Sequence, residues 1–283
     1  MKTIDFIRLI IPQYNHPGVM AVIVGFVFST TIFNITLNLI LAPICILLIA
    51  SGYIAFNAIY DKKVDRVNKP YRPLASGTMR KEEAIWVSAT LFVVALLLGI
   101  LVNLTFLLIE IIAVALSLAY SHPKIHLKKF FVIGTLTINV LYAVMFPLAG
   151  WAINPYNTVP VYMILFLFVF GLGTAVLKDF EDIRGDIMYR VKTIPSVWGV
   201  KTAIKFSLSA FAASAIVLLV LISIGKLTLY YLPILVFIGV AMLNVGALTR
   251  NYNWGAYKNV VLGGVVLLTI MEIALVVIRI ATG

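Results

Sequence analysis

The sequence predicts an all-α polytopic membrane protein, and three observations carry that prediction. Of 283 residues, 62% are hydrophobic and 12% charged, with a mean hydropathy of +1.07, whereas soluble domains run about 45–50% apolar and about 25% charged. The apolar residues form runs long enough to cross a bilayer, which takes about 20 residues of helix. Those runs also lack the polar/apolar alternation of a transmembrane barrel. A soluble globular protein is therefore excluded, and residues 1–283 are expected to form a single domain.

Residues 4–11 read as a short interfacial helix, and residues 1–12 carry Lys2, Asp5 and Arg8 without a small-residue cleavage site. Nine spans follow, near 17–34, 39–60, 84–102, 104–120, 130–151, 157–178, 203–224, 228–247 and 257–279. Cys45 is the sole cysteine and lies in the second run, so it reads as a packing residue. Gly171 and Gly173 in the sixth run read as a close-packing patch, and Asn139 and Asn244 as interhelical hydrogen-bonders. Glu110 and Glu272 lie inside apolar runs, away from the other acids, and read as structural hydrogen-bonding or packing groups. Helices two and six each precede a long Asp-bearing loop, and helices four and eight a smaller basic one. That is a weak four-plus-four pattern with an added ninth helix.

Orientation follows from the 22 Lys and Arg, which outnumber 11 Asp and Glu for a formal charge of +11. With a cytoplasmic N-terminus, 20 of the 22 fall on the cytoplasmic side, Arg250 among them, leaving Lys226 and Arg279 outside. The positive-inside bias thus predicts nine helices with the N-terminus cytoplasmic and the C-terminus outside. The expected location is the cell membrane, multi-pass, with the longer, site-building loops on the cytoplasmic face. The bilayer explains the basic charge, so no nucleic-acid partner is expected, and oligomeric state has no signature in the sequence.

The acids are placed unevenly. Five of the six Asp fall in two segments, Asp61 and Asp65, then Asp179, Asp182 and Asp186. Asn57, Asp61 and Asp65 stand at i, i+4 and i+8, and Asp179, Asp182 and Asp186 at i, i+3 and i+7, so a helix would hold each trio on one face. Two carboxylate faces meeting at one depth would repel unless a hard dication relieved them. Carboxylate and amide oxygens suit Mg²⁺ or Ca²⁺, and Mg²⁺ typically takes one or two carboxylates and completes its shell with water and substrate phosphate. Zinc is disfavoured, because His16, His122 and His126 form no zinc pattern with the acids or the cysteine. Ordinary pairing with Lys62, Lys63, Arg66, Lys178, Arg184 or Arg190 explains one such acid, but not two helically spaced trios.

Arg66, Lys69, Arg72, Lys128 and Lys192 are interleaved with the acids. Carboxylate-held Mg²⁺ beside Lys and Arg is the chemistry for gripping a diphosphate while a bond to it breaks. No Gly-rich phosphate loop followed by Lys and Ser/Thr occurs. Phosphoryl or phosphatidyl transfer and ionisation of an allylic prenyl diphosphate then compete. The contiguous Asp-Gly-x-x-Ala-Arg signature of membrane phosphatidyltransferases is absent, whereas a prenyl diphosphate matches an apolar interior with a charged rim. A cation-coupled transporter is the alternative from another class, but it would carry its acids near mid-membrane on broken helices.

The run Asn57-x-x-x-Asp61-x-x-x-Asp65-Arg66-x-Asn68-Lys69-Pro70-x-Arg72-Pro73-Leu74-x-x-Gly77 closely resembles the first aspartate-rich motif of UbiA-type intramembrane prenyltransferases. Lys178-Asp179-x-x-Asp182-x-x-x-Asp186, followed by Lys192-Thr193-x-Pro195, is similar to their second motif, and Tyr120-Ser121-x-Pro123 with Lys128 to a weaker tract. The resemblance implies nine helices and Mg²⁺ held on the diphosphate by Asn57, Asp61, Asp65, Asp179, Asp182 and Asp186. It also implies contacts to the diphosphate from Arg66, Lys69, Arg72, Lys128 and Lys192, with Tyr120 and Ser121 positioning the diphosphate or the acceptor. Ala58 and Arg184 stand where acids are common in the family, and Asn15 matches the usual N-terminal Arg-Pro position. Within the family, the compact second motif and short loops most resemble digeranylgeranylglyceryl phosphate synthases. That implies geranylgeranyl diphosphate as donor and a lipid acceptor, the hydroxyl of geranylgeranylglyceryl phosphate, in archaeal membrane lipid synthesis. An aromatic acceptor of the 4-hydroxybenzoate or menaquinone type is the alternative.

Overall fold

The computed structural model describes residues 2–31, 33–249 and 254–282, and among these every regular element is helical. The chain opens with α1 (Thr3–Ile10), close to the expected interfacial segment. A 14-residue α2 (His16–Ser29) follows, then α3 (Leu37–Asn68), α4 (Lys81–Val102), α5 (Leu104–Ser121), α6 (Phe131–Trp151) and α7 (Val161–Phe180). Next come the short α8 (Ile183–Tyr189), α9 (Val200–Ser223), α10 (Leu229–Thr249) and α11 (Trp254–Thr282). Eight of these are long and apolar enough to cross a membrane, and α2 is a shorter apolar helix. Arg250 lies outside the described residues.

Two elements differ in length from the apolar runs. α2 spans only about 21 Å at 1.5 Å per residue and is mostly buried, with His16, Val19, Met20 and Ile23 half-buried along one face. Its Ala21, Val22, Phe26 and Val27 join the core formed by α3 to α6, while Val24 and Phe28 join the core formed by α7, α9, α10 and α11. α3, in contrast, continues for 32 residues, about 48 Å against a hydrocarbon layer of about 30 Å. Its surplus turns carry Asn57, Asp61 and Asp65 beyond the apolar stretch.

The central α2 meets α6 backbone to backbone. A Cβ on Gly25 would fall on the carbonyl of Pro147, and one on Gly150 would fall on the carbonyl of Val22, the close approach that small residues allow between membrane helices. Pro147 also shapes α6. Lacking an N–H, it cannot bond the carbonyl four residues back, and the preceding Leu141–Met145 turn widens to a π-helix. Gly171 and Gly173 behave as the sequence suggested, facing Asn139 and Phe211. The Asn139 and Asn244 side chains donate to the carbonyls of Phe168 and Val260, both at 2.9 Å.

The second Asp trio does not share one helix face, and this corrects the reading of its spacing. α7 leaves α-helical geometry at Leu177, tightens into a 3₁₀ turn at Lys178–Phe180, and α8 begins after Asp182.

Because only backbone atoms oppose a side chain at the α2–α6 crossing, Gly25→Leu or Gly150→Leu should cost about 3 kcal/mol. Thermal unfolding in detergent should show a midpoint several degrees lower for either variant, and an unchanged midpoint would contradict the crossing.

Candidate functional site

A cavity of about 1700 Å³, including its open mouth, lies between the two cores. One end is polar and is built from the end of α3, the loop after it, and the α7–α8 junction; the rest is an apolar chamber between α3, α6, α7 and α11. α3 points Tyr53, Asn57, Asp61 and Asp65 into the cavity at four-residue spacing, as one helix face must. Lys69, which caps α3, and Arg72 just beyond it fold back over that face.

The α7–α8 junction is held by a side chain from α3. Asn68 Nδ2 donates to the carbonyl of Asp182 and its Oδ1 accepts the N–H of Gly185, both at 2.8 Å. Gly185 is in the first turn of α8, where N–H groups lack partners within the helix, so Asn68 caps α8 from a different element. The approach requires glycine, since a Cβ on Gly185 would meet Asn68 Nδ2 at 2.5 Å and Val64 at 2.9 Å. The two Asp segments are thereby stapled together, with Asp179, Glu181, Asp182 and Asp186 facing the α3 acids across the cavity.

Cations stand between these carboxylates. Lys128 pairs with Asp61; Lys69 Nζ lies 2.7 and 2.8 Å from the two oxygens of Asp182 and 3.7 Å from Glu181; Arg72 Nη1 donates to Asp65 at 2.8 Å. Lys178 Nζ lies 3.6 Å from Asp179, donates to the Tyr120 hydroxyl at 2.9 Å and sits 5.1 Å from the centre of that ring. Burial opposes the charged form of Asp182, yet Lys69, Arg72 and Lys178 hold its carboxyl below the usual range. Asp186 has a hydrogen bond from Thr193 Oγ1 at 3.1 Å, and burial, then Asp182 and Asp179, push it up to about 8.

Six carboxyl side chains line this end against four cationic ones, Lys69, Arg72, Lys128 and Lys178. Among the described residues no three His, Cys, Asp or Glu side chains form a ready-made metal cage. The donors are nevertheless all hard oxygens, the acids outnumber the bases by two, and burial beside Asp182 and Asp179 favours the protonated form of Asp186. That is the donor chemistry of a dication needing few protein ligands, such as Mg²⁺.

The remaining predicted residues fall into two groups. Asn15 and Ser121 are fully buried behind the cavity wall: Asn15 Nδ2 donates to Ser51 Oγ at 2.9 Å, and Ser121 Oγ accepts from Asn57 Nδ2 at 2.9 Å. Arg66 and Lys192 are exposed and do not line the cavity. Arg66 follows Asp65 by one position, which turns it off the inward face, and Thr193 takes the inward place beside Lys192. Several lining residues escaped the sequence reading: Tyr14, whose hydroxyl donates to Glu181 at 3.1 Å, with Tyr53, Tyr142 and Glu181 itself; Lys178, read only as part of the second motif and as an ordinary ion-pair partner, also lines the cavity. The spacing of Tyr53 from Asn57 was a usable signal; Tyr14 and Tyr142 reach the site only through the tertiary fold. Glu110 lies away from the cavity against Gly99. Glu272, read as a structural hydrogen-bonding or packing group, is buried along the chamber wall with Oε2 unbonded.

The model of the UbiA prenyltransferase family matches residues 18–268. The chain belongs to this family. It is a prenyltransferase, all-helical and membrane-embedded. A digeranylgeranylglyceryl phosphate synthase from Saccharolobus solfataricus is 31% identical over 234 residues, 80% of this chain and 80% of its own length. One from Methanococcus maripaludis is 32% identical over 212 residues, 72% of each chain. Among solved structures, a UbiA homologue from Archaeoglobus fulgidus bound to GPP and Mg²⁺ shares the fold, with a TM-score of 0.75 at 20% identity over 98% of this chain and 99% of its own.

Asn68→Ala would leave the Gly185 N–H without this partner, at about 1–3 kcal/mol, while the Asp182 carbonyl keeps the N–H of Asp186 at 2.9 Å. Prenyl transfer should fall at least tenfold and the thermal midpoint should drop. Wild-type values for both would show that the staple positions nothing.

Proposed function

We propose that the chain transfers a geranylgeranyl group from geranylgeranyl diphosphate to the hydroxyl of geranylgeranylglyceryl phosphate, at the cytoplasmic face of the membrane and with Mg²⁺. The observation that carries this reading is the two-ended cavity, acids and bases at one end and an apolar chamber behind them, which mirrors an amphipathic diphosphate. The names of the relatives supply the lipid acceptor. Nine spans, with α2 as the ninth, and an N-in, C-out topology complete the proposal on the strength of the basic-residue bias.

Asp61, Asp65, Asp179, Asp182 and Asp186, with Asn57, are the residues that would hold the metal. Bound Mg²⁺ supplies positive charge to oxygens that become more negative as the allylic carbon–oxygen bond breaks. Lys69, Arg72, Lys128 and Lys178 stand where they can move from carboxylates to diphosphate oxygens. Ser121 orients Asn57, and Asn15 braces the adjoining wall through Ser51. Tyr53, Tyr120 and Tyr142 line the boundary between the two ends, where their rings exclude water and face the developing allylic cation.

Purified protein given geranylgeranyl diphosphate and Mg²⁺, with geranylgeranylglyceryl phosphate and 4-hydroxybenzoate offered in parallel, should prenylate only the lipid. Product from the aromatic acceptor alone would overturn the assignment. Asp61→Ala and Asp179→Ala should each lower turnover by about 10²–10³-fold, and near-normal turnover in either would contradict the metal assignment.

The elevated Asp186 gives a pH dependence with a definite sign. A carboxyl pushed up to about 8 by burial and by Asp182 and Asp179 must lose its proton to receive a cation. Apparent Mg²⁺–diphosphate affinity should therefore fall as pH drops below about 8, by up to about tenfold per unit for one displaced proton. Asp186→Asn should flatten that slope in an equilibrium binding titration, and an affinity independent of pH between 6 and 8 in the wild type would contradict it.

A further inference from the structure

The segment between α7 and α9 carries more exposed apolar surface than a polar loop accounts for. Ile187 and Met188 on α8 are 61% and 65% exposed, and Tyr189, Val197 and Trp198 are exposed too, although residues 183–199 belong to no membrane span. Single exposed apolar residues are ordinary, but a cluster rimmed by charge marks an interaction surface. α8 has two faces. Gly185 and Asp186 are buried, Gly185 against Val64 and Asn68 of α3 and Asp186 in the cavity wall. Arg184, Ile187 and Met188, at i, i+3 and i+4, share the outward face.

The outward charge is all of one sign. Arg184, Arg190, Lys192 and Lys201 are exposed, and among the described residues none of the four takes part in an ion pair. The segment's acids, Glu181, Asp182 and Asp186, line the cavity instead. Depth places this surface at the edge of the bilayer. Trp198 meets Phe131 in the first turn of α6 edge-on, with ring centres 4.5 Å apart, and the adjoining Phe130, Val132 and Ile133 are exposed where that span begins. A shallow groove of about 680 Å³, including its open mouth, adjoins Trp198 and is lined by Gly199, Val200, Lys201 and Tyr257. Trp and Tyr concentrate at membrane–water interfaces, and exposed apolar side chains among Lys and Arg suit an anionic lipid surface.

We propose that the outward face of α8, with the chain that follows it to Lys201, is a docking surface for the headgroups of anionic bilayer lipids. Ile187, Met188 and Trp198 enter the upper acyl layer, while Arg184, Arg190, Lys192 and Lys201 meet lipid phosphates. Asp182 and Asp186 lie beyond the α7 span, so the element that carries them is held from outside by lipid and from inside by Asn68.

The test reads depth directly. Met188→Cys in a Cys45→Ala background is spin-labelled and reconstituted in nanodiscs of phosphatidylcholine with about 30% phosphatidylglycerol, enough to give the surface a negative potential. Its label should collide more readily with oxygen, which concentrates in the acyl layer, than with a neutral, water-soluble nickel chelate. Phosphatidylcholine alone, or Arg184→Gln, Arg190→Asn and Lys201→Gln together, should raise collisions with the chelate at least about fivefold, the factor that one Lys or Arg near an anionic surface commands. Asparagine is chosen at position 190 because the backbone there is left-handed, with φ 56°. If the Cys45→Ala protein is not recovered, Trp86→Phe, Trp151→Phe and Trp254→Phe leave Trp198 as the sole tryptophan. Lipids brominated on their upper acyl carbons should then quench its fluorescence by at least about half, as expected of an interfacial tryptophan. A label equally open to the chelate in both bilayers, or an unquenched Trp198, would leave the surface to a soluble partner and overturn the lipid assignment. A label that stays in the acyl layer whatever the charge would overturn the role of the four cations.

Discussion

Charge balance at one end of the helix bundle is the constraint on which the rest of the structure depends. Six carboxyl groups converge there from α3 and the α7–α8 junction, and only four cationic side chains meet them. Burial makes each unpaired carboxylate costly. The molecule spreads the cations one to a carboxylate, Lys128 on Asp61, Arg72 on Asp65, Lys178 on Asp179 and Lys69 on Asp182, and burial with the neighbouring acids raises Asp186. Such a site is poised for exchange. A dication with a diphosphate can take the carboxylates and the lysines respectively, and each partner supplies what the other displaces.

The fold serves that convergence. α3 is extended past the apolar stretch so that its polar turns emerge at the right depth, and Asn68 at its end caps α8 across the gap. α2 joins the two cores and meets α6 backbone to backbone at Gly25 and Gly150. Pro147 then loosens α6 at the turn that carries Tyr142 and Ala143 into the chamber. A polar end held together by Asn68 and an apolar chamber behind it are the outcome.

Much of this was legible from residue order, and the parts that were not have physical reasons. The helix pattern and the first trio follow from periodicity, since α3 is one uninterrupted helix and its 3.6-residue repeat places Asn57, Asp61 and Asp65 on one face. The second trio has a spacing that suits a helix, yet the chain breaks there because the capping partner of α8 is a side chain over a hundred residues away. Arg66 and Lys192 show that adjacency to a motif does not fix direction: one sits a third of a turn off the inward face, and the other yields its place to Thr193. Glu181 falls outside the spacing of either trio, so residue order alone does not mark it. The length of α2 and the exposure of Glu272 to the chamber depend on tertiary packing, which apolar runs do not encode.

The exchange of partners at the acid cluster is tested most directly by equilibrium binding of an unreactive prenyl thiolodiphosphate to the wild-type protein in lipid nanodiscs, with Mg²⁺ and with chelator. Charge balance predicts that each of the two ligands, metal and diphosphate analogue, tightens the binding of the other by at least about tenfold, because linkage between them must be reciprocal. Equal affinity for the analogue with Mg²⁺ and with chelator would contradict the account.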